Sequence, residues 1–111
     1  MTMKEKDVLQ SVIGLTQIRL KTWIRNGLVV PAETDTGFIY TEIDVARCNL
    51  IRQLEDELEI DGEVVPVILS LLDQVYGLRR EMRVLTKAIE QQPENVRVQI
   101  LELIRQNRKQ D

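Results

Sequence analysis

Apolar residues recur along the second half of the chain at alternating spacings of four and three residues. The run lasts for nearly four heptads, which is the repeat of a helix that packs in a coiled coil. Such a helix needs a partner for its apolar seam, because an isolated helix has little stability in water. The pattern therefore predicts a long helix within residues 63–92. The seam comprises Val64, Ile68, Leu71, Val75, Leu78, Met82, Leu85 and Ile89.

The partner for the later half of this seam is predicted to be a second copy of the chain. Residues 1–62 suffice for one small domain, whose core takes the long helix only from Val64 to Leu72. The seam positions beyond it then lack a partner in the same chain. We expect a homodimer in which the two helices run either parallel or antiparallel. The predicted dimerisation residues are Leu71, Val75, Leu78, Met82, Leu85 and Ile89.

The first 40 residues carry the pattern of a winged helix-turn-helix. Gly14 separates two short predicted helices, 5–13 and 17–25, and Thr16 is a good N-cap for the second helix. Asn26-Gly27 ends that second helix. Two β-prone runs follow, at residues 28–31 and 38–40, and they predict a small β-hairpin, or wing.

Two further helices complete the predicted fold. The spacing of Thr41 and Asp44 is that of a capping box, which starts a third helix at residues 42–58. Pro93 opens a last helix within residues 93–111, which either folds back on the long helix or packs in the dimer. The predicted buried face of the third helix is Ile43, Ala46, Leu50, Leu54 and Leu58, and that of the last helix is Val96, Ile100, Leu103 and Ile104.

The fold class is therefore mostly α, with three predicted parts. A winged helix-turn-helix head with a small hairpin spans residues 1–62, a long dimerisation helix spans 63–92, and a short amphipathic helix spans 93–111. No run approaches the 18 apolar residues of a membrane span, and the charged N-terminus has no apolar stretch like that of a secretory signal. We expect a cytoplasmic protein.

The residue types argue against catalysis. Histidine is absent, which removes most zinc sites and the usual general base at neutral pH. The single cysteine, Cys48, cannot form an internal disulfide, and we expect it to be a small buried residue. The sequence contains no nucleophile–base pair, phosphate-binding loop or metal-binding cluster. We therefore predict no enzymatic activity, no metal and no cofactor.

Charge is distributed unevenly along the chain. Residues 41–63 contain eight acidic and two basic side chains, whereas the formal net charge of the whole chain is only −3. Such a run is often only a solvated face, but it also fits a basic protein partner. The second helix of the head has the opposite character, because Arg19, Lys21 and Arg25 lie on its predicted solvent face. These three residues are the candidates for contacting DNA in a major groove.

The head resembles that of MerR-type regulators. The motifs that carry the resemblance are Gly27-Leu28 followed by Pro31, then Gly37-Phe38-Ile39-Tyr40, and then Asp44-Val45-Ala46-Arg47. The wing position that usually carries a cation in that family is Ile39 here. The resemblance implies a winged-helix fold and DNA-binding transcriptional regulation as the alternative function.

A narrower resemblance covers about residues 6–90. Leu54-Glu55-Asp56-Glu57-Leu58-Glu59-Ile60-Asp61, followed by Leu71-Leu72-Asp73 and Leu78-Arg79-Arg80-Glu81, is similar to the chaperone-modulator family of the CbpM type. The resemblance implies a dimeric protein that binds the J-domain of a DnaJ-like, CbpA-type co-chaperone and blocks its stimulation of the Hsp70 ATPase. J-domains present a basic helix to Hsp70, so a competitor needs a matching acidic face. From charge, the candidate partner-binding residues are Glu55, Glu57, Glu59, Asp61, Glu63 and Asp73.

Overall fold

In a computed structural model, residues 2–110 are described. The elements are α1 (Glu5–Ser11), α2 (Gln17–Arg25), β1 (Ala32–Thr34), β2 (Gly37–Ile39), α3 (Glu42–Arg52), a π-helical segment (Gln53–Glu57), α4 (Val65–Glu90) and α5 (Glu94–Arg108). The chain divides after Ser70 into two compact units, which are described separately. The mostly helical fold with one two-stranded antiparallel hairpin is the predicted one.

The helix-turn-helix is confirmed in the first unit. The Thr16 side chain accepts a hydrogen bond from the Arg19 amide at 3.2 Å, as expected of the N-cap of α2. Gly27 follows the helix with φ = +75°, a backbone conformation that glycine adopts without steric cost. The predicted stripe of α2 packs inward, because Leu20 and Trp23 are buried and Ile24 is half-buried.

The wing is present but its strands are shifted from the predicted positions. Strand β1 begins at Ala32, which pairs with Ile39, instead of using residues 28–31. Leu28 and Val29 are buried in the core and form no strand, because their apolar side chains fill the space beside α2. Thr34 closes the hairpin by donating its hydroxyl to the Gly37 carbonyl at 2.7 Å.

The buried face of α3 differs from the predicted one. The described structure exposes Ile43, Ala46 and Leu58, and it buries Cys48 and Ile51. Apolar side chains occur on several sides of this helix, so its periodicity did not single out the face that meets the core. The core of this unit consists of Val8, Val12, Leu15, Leu20, Trp23, Leu28, Val29, Tyr40, Cys48, Ile51, Leu54, Val65 and Leu69.

The prediction that Cys48 is a small buried residue is confirmed. Its side chain is fully buried, and this burial raises the pKa of the thiol to about 11. The thiol is therefore protonated at neutral pH and has little nucleophilic character.

The segment that follows α3 is wider than an α-helix. The Leu58 amide donates to the Gln53 carbonyl at 3.0 Å, which is the i to i+5 bond of a π-helix. Glu59 then adopts φ = +52°. The Ile60 amide returns to the Leu54 carbonyl at 2.8 Å, so the chain is held close to the buried Leu54 before α4 begins.

The second unit consists of the later part of α4 and all of α5. Among described residues 71–110, none is fully buried. Leu71, Val75, Leu78, Met82 and Leu85 of the predicted seam are all exposed, and Ile89 is half-buried. Pro93 is the N-cap of α5 and not its first helical residue, as the sequence had predicted.

No helix in the described part of the chain is long and apolar enough to cross a membrane.

Candidate functional site

Arg19 lies at the centre of a polar cluster that joins the helix-turn-helix to the acidic segment. Its guanidinium donates to Glu55 Oε1 at 2.9 Å and to the two carboxylate oxygens of Asp56 at 3.0 and 3.1 Å. It also donates to the Gly14 carbonyl at 3.1 Å and lies 5.0 Å from the centre of the Trp23 ring. The hydrogen bond to Asp56 is the main cause of the raised pKa of Arg19, and partial burial opposes it. The cluster fixes α2 against the π-helical segment.

This cluster brings together two residues that were predicted to serve different partners. Arg19 was a candidate for DNA contact and Glu55 a candidate for binding a basic protein. The two side chains are each 27% exposed and are paired with each other. Either becomes available to an outside partner only if that pair breaks. Asp56, which was not among the candidates, completes the cluster.

Three other predicted carboxylates lie on the surface after the π-helical segment. We call Glu59, Asp61 and Glu63 the acidic surface; all three are exposed. The Asp61 side chain accepts the Glu63 amide at 3.0 Å, which restrains this turn. Neither Glu59 nor Glu63 takes part in an ion pair within the described residues. Together with the bond from Ile60 to Leu54, these contacts hold the negative charges on an ordered turn.

The two remaining acidic candidates are placed differently. Glu57 pairs with Arg52 at 3.2 Å, but its carboxylate is more than half exposed. Screening by water makes such a pair weak, so Glu57 can still contribute negative charge to a neighbouring partner. Asp73 lies on α4 within the second unit and is exposed.

A second charged feature is a cleft beside α2 whose lining is mainly positive, in contrast to the acidic surface. It has a volume of about 590 Å³ and lies between the start of α1, the end of α2 and strand β2. Lys21 and Arg25, both predicted to contact DNA, line this cleft together with Lys4 and Lys6. Glu5 is the one acidic residue among the lining side chains of this described cleft. None of the four cations forms an ion pair within the described residues.

Sequence reasoning missed Lys4 and Lys6 in the cleft and Asp56 in the Arg19 cluster. Asp56 lies 37 residues from Arg19, and no local spacing relates the two. The signal that exists is compositional: one segment has adjacent carboxylates, and another has an arginine four residues before the single tryptophan. Only the fold brings Arg19 and Asp56 together.

No group of three cysteine, aspartate or glutamate side chains in residues 2–110 is arranged to hold a metal ion.

A comparison with known protein families agrees with the helix-turn-helix fold of the first unit. The model of the MerR HTH family regulatory proteins matches residues 6–60, so these residues form a MerR-family helix-turn-helix domain. No curated protein and no solved structure matches the chain.

Proposed function

We propose that the chain regulates a DnaJ-like, CbpA-type co-chaperone by binding its J-domain through the acidic surface. Binding there would cover the basic helix that the J-domain presents to Hsp70 and so block stimulation of the Hsp70 ATPase. The proposal follows the resemblance of residues 6–90 to the CbpM-type modulators. It describes a cytoplasmic binding protein with no cofactor and no catalytic step of its own.

The observation that carries the proposal is the set of exposed carboxylates at Glu59, Asp61 and Glu63. Within residues 2–110 no cation pairs with Glu59 or Glu63, and the turn that bears them is held by the Asp61 side chain and by the backbone bond from Ile60 to Leu54. Charges that are already in place lose little conformational entropy when a basic partner binds. A complementary charged surface also speeds encounter and rejects acidic partners.

The charges of the recognition helix and the wing support a protein partner over DNA. Arg19 is already paired with Glu55 and Asp56, so one of the three candidate phosphate contacts is neutralised. The hairpin residues 32–39 contain Glu33 and Asp35 and no lysine or arginine. Both charges would repel a phosphate backbone.

The proposal includes a homodimer formed through the seam of α4. The second unit exposes the later seam residues, and a 4–3 repeat is self-complementary when two copies pair. Two copies would also display the acidic surface twice, so one dimer could bind two J-domains.

Charge reversal on the acidic surface tests the proposal. We expect the full chain to bind the cognate J-domain in titration calorimetry with a dissociation constant in the micromolar range or below. Glu59→Lys combined with Glu63→Lys should weaken that binding at least about tenfold, because two attractive charges become repulsive.

The control is Glu33→Lys combined with Asp35→Lys in the wing. It changes the net charge by the same amount on exposed residues of the same domain. Its effect should stay within about threefold, as expected when charges outside the contact are screened by salt. Equal weakening by both pairs, or no binding of the unmodified chain at low salt, would contradict the proposed surface.

The second candidate function is binding of duplex DNA, and the basic cleft favours it. Lys21 and Arg25 lie on the recognition helix of a MerR-family domain, and Lys4 and Lys6 add positive charge beside them. In this case duplex affinity should fall steeply with salt, and Lys21→Glu with Arg25→Glu should abolish it. The same variant should leave J-domain binding unchanged if the acidic surface alone binds the J-domain.

A further inference from the structure

Arg19 neutralises part of the negative charge of the acidic segment in the free chain. Residues 55–63 contain six acidic side chains, and Arg19 pairs with the first two of them, Glu55 and Asp56. The acidic surface begins at Glu59, so the Cα atoms of Asp56 and Glu59 lie within about 11 Å of each other. A basic partner that binds the acidic surface therefore also comes close to two carboxylates that Arg19 already holds.

Arg19 binds these carboxylates in the way that an arginine of a basic partner would. Its Nη1 and Nη2 atoms donate to Asp56 Oδ2 and Oδ1 at 3.0 and 3.1 Å, and Nη2 also donates to Glu55 Oε1 at 2.9 Å. Two parallel bonds of this kind are the strongest arrangement between a guanidinium and a carboxylate. The Asp56 side chain is nevertheless 44% exposed. A cation from outside can therefore reach it while the head stays folded.

Arg19 has two further contacts that do not involve the acidic segment. Its Nη1 atom donates to the Gly14 carbonyl at 3.1 Å, and its guanidinium lies 5.0 Å from the centre of the Trp23 ring. Both contacts are made within the helix-turn-helix. A guanidinium released from Glu55 and Asp56 thus keeps a hydrogen bond and a cation–π contact, which reduces the free-energy cost of the exchange.

We propose that Arg19 competes with the basic partner for Glu55 and Asp56, so that the free head keeps part of its own binding surface occupied. The inference rests on the J-domain function proposed above and adds a regulation of that surface. A cation in the same chain has a high effective concentration, so it lowers the affinity for a partner whose cations use the same carboxylates. On binding, a guanidinium or ammonium group of the partner takes the place of Arg19.

Removal of the internal cation tests the competition. Arg19→Met should lower the dissociation constant of the full chain and the cognate J-domain about tenfold in titration calorimetry, because two carboxylates are released for the partner. Arg19→Met combined with Glu55→Gln and Asp56→Asn also removes those carboxylates. Its dissociation constant should return to within about twofold of that of the unmodified chain, since neither the competitor nor its site remains.

The matched control is Arg25→Met, which removes the same charge from the same helix at an exposed position. Its dissociation constant should stay within about twofold of that of the unmodified chain, because salt screens a charge that lies outside the contact. Trp23 is the single tryptophan and is buried, so its emission shows whether the head of each variant is folded.

Arg19→Lys provides a second variant that keeps the positive charge. An ammonium group cannot form the two parallel bonds to Asp56, so lysine is a weaker competitor and the dissociation constant should fall about threefold. If Arg19→Met and Arg19→Lys bind the J-domain no more tightly than the unmodified chain does, the competition is overturned. The J-domain proposal survives that result, because the unmodified chain still binds. An absence of binding by all of these chains would refute both proposals.

Discussion

Leu78→Asp is expected to convert the protein from a dimer to a monomer. Leu78 occupies a d position in the middle of the exposed seam, and its side chain is 66% exposed in the single chain. Burial of a leucine contributes ~1.5–3 kcal/mol, and the substitution removes two leucines per dimer and places two carboxylates in the seam. The dissociation constant should therefore rise by at least about 1,000-fold. Light scattering at micromolar concentration measures the result as a halved mass.

Val84→Asp is the control for this prediction. Val84 lies in the same helix with a side chain that is 61% exposed, but it is not a seam position. The substitution introduces the same charge in the same helix, and valine and aspartate have similar helix propensities, so it should leave the mass unchanged. A dimer that persists in Leu78→Asp would refute the heptad assignment, and a monomer in both variants would show that charge alone separates the chains.

Arg19→Met is expected to destabilise the head. Methionine keeps an apolar side chain against Trp23 but removes every donor to Gly14, Glu55 and Asp56. The two carboxylates then face each other without a cation. We expect the free energy of unfolding to fall by about 2 kcal/mol, since charged hydrogen bonds are lost and partial exposure moderates the loss. Urea unfolding followed by circular dichroism measures it at one fixed protein concentration, because the proposed dimerisation would also stabilise the fold.

Arg25→Met provides the comparison for the Arg19 cluster. It removes the same charge from the same helix, at an exposed position with no ion pair among the described residues. Arg25→Met should lower the free energy of unfolding by less than about 0.5 kcal/mol. If both substitutions lower the free energy of unfolding by the same amount, the cluster around Arg19 does not fix α2 against the π-helical segment.

Local signals account for the parts of the fold that were predictable. Helix α2 begins and ends where its cap Thr16 and its terminator Gly27 place it, because both act within one turn of the helix. The capping box of Thr41 and Asp44 likewise starts α3 at Glu42. These features depend only on neighbouring backbone groups, so the sequence specifies them.

Tertiary packing determines the start of strand β1 and the division of the acidic segment, which local sequence signals do not specify. The β-prone run that includes Leu28 and Val29 was predicted as a strand, yet the core takes both side chains and the strand begins at Ala32. The acidic segment was predicted as one uniform face, but Arg19 divides it into a paired part and the acidic surface. Both outcomes depend on contacts between distant residues, which periodicity and charge counts do not contain.

The ATPase rate of Hsp70 shows whether this MerR-type head blocks a J-domain, as we propose. The rate is measured with the cognate J-domain protein present while the full chain is titrated in. The proposal predicts that the stimulated rate returns to the basal rate at about one chain per J-domain, with the basal rate unchanged. A stimulated rate that stays constant at saturating concentrations of the chain would contradict the claim.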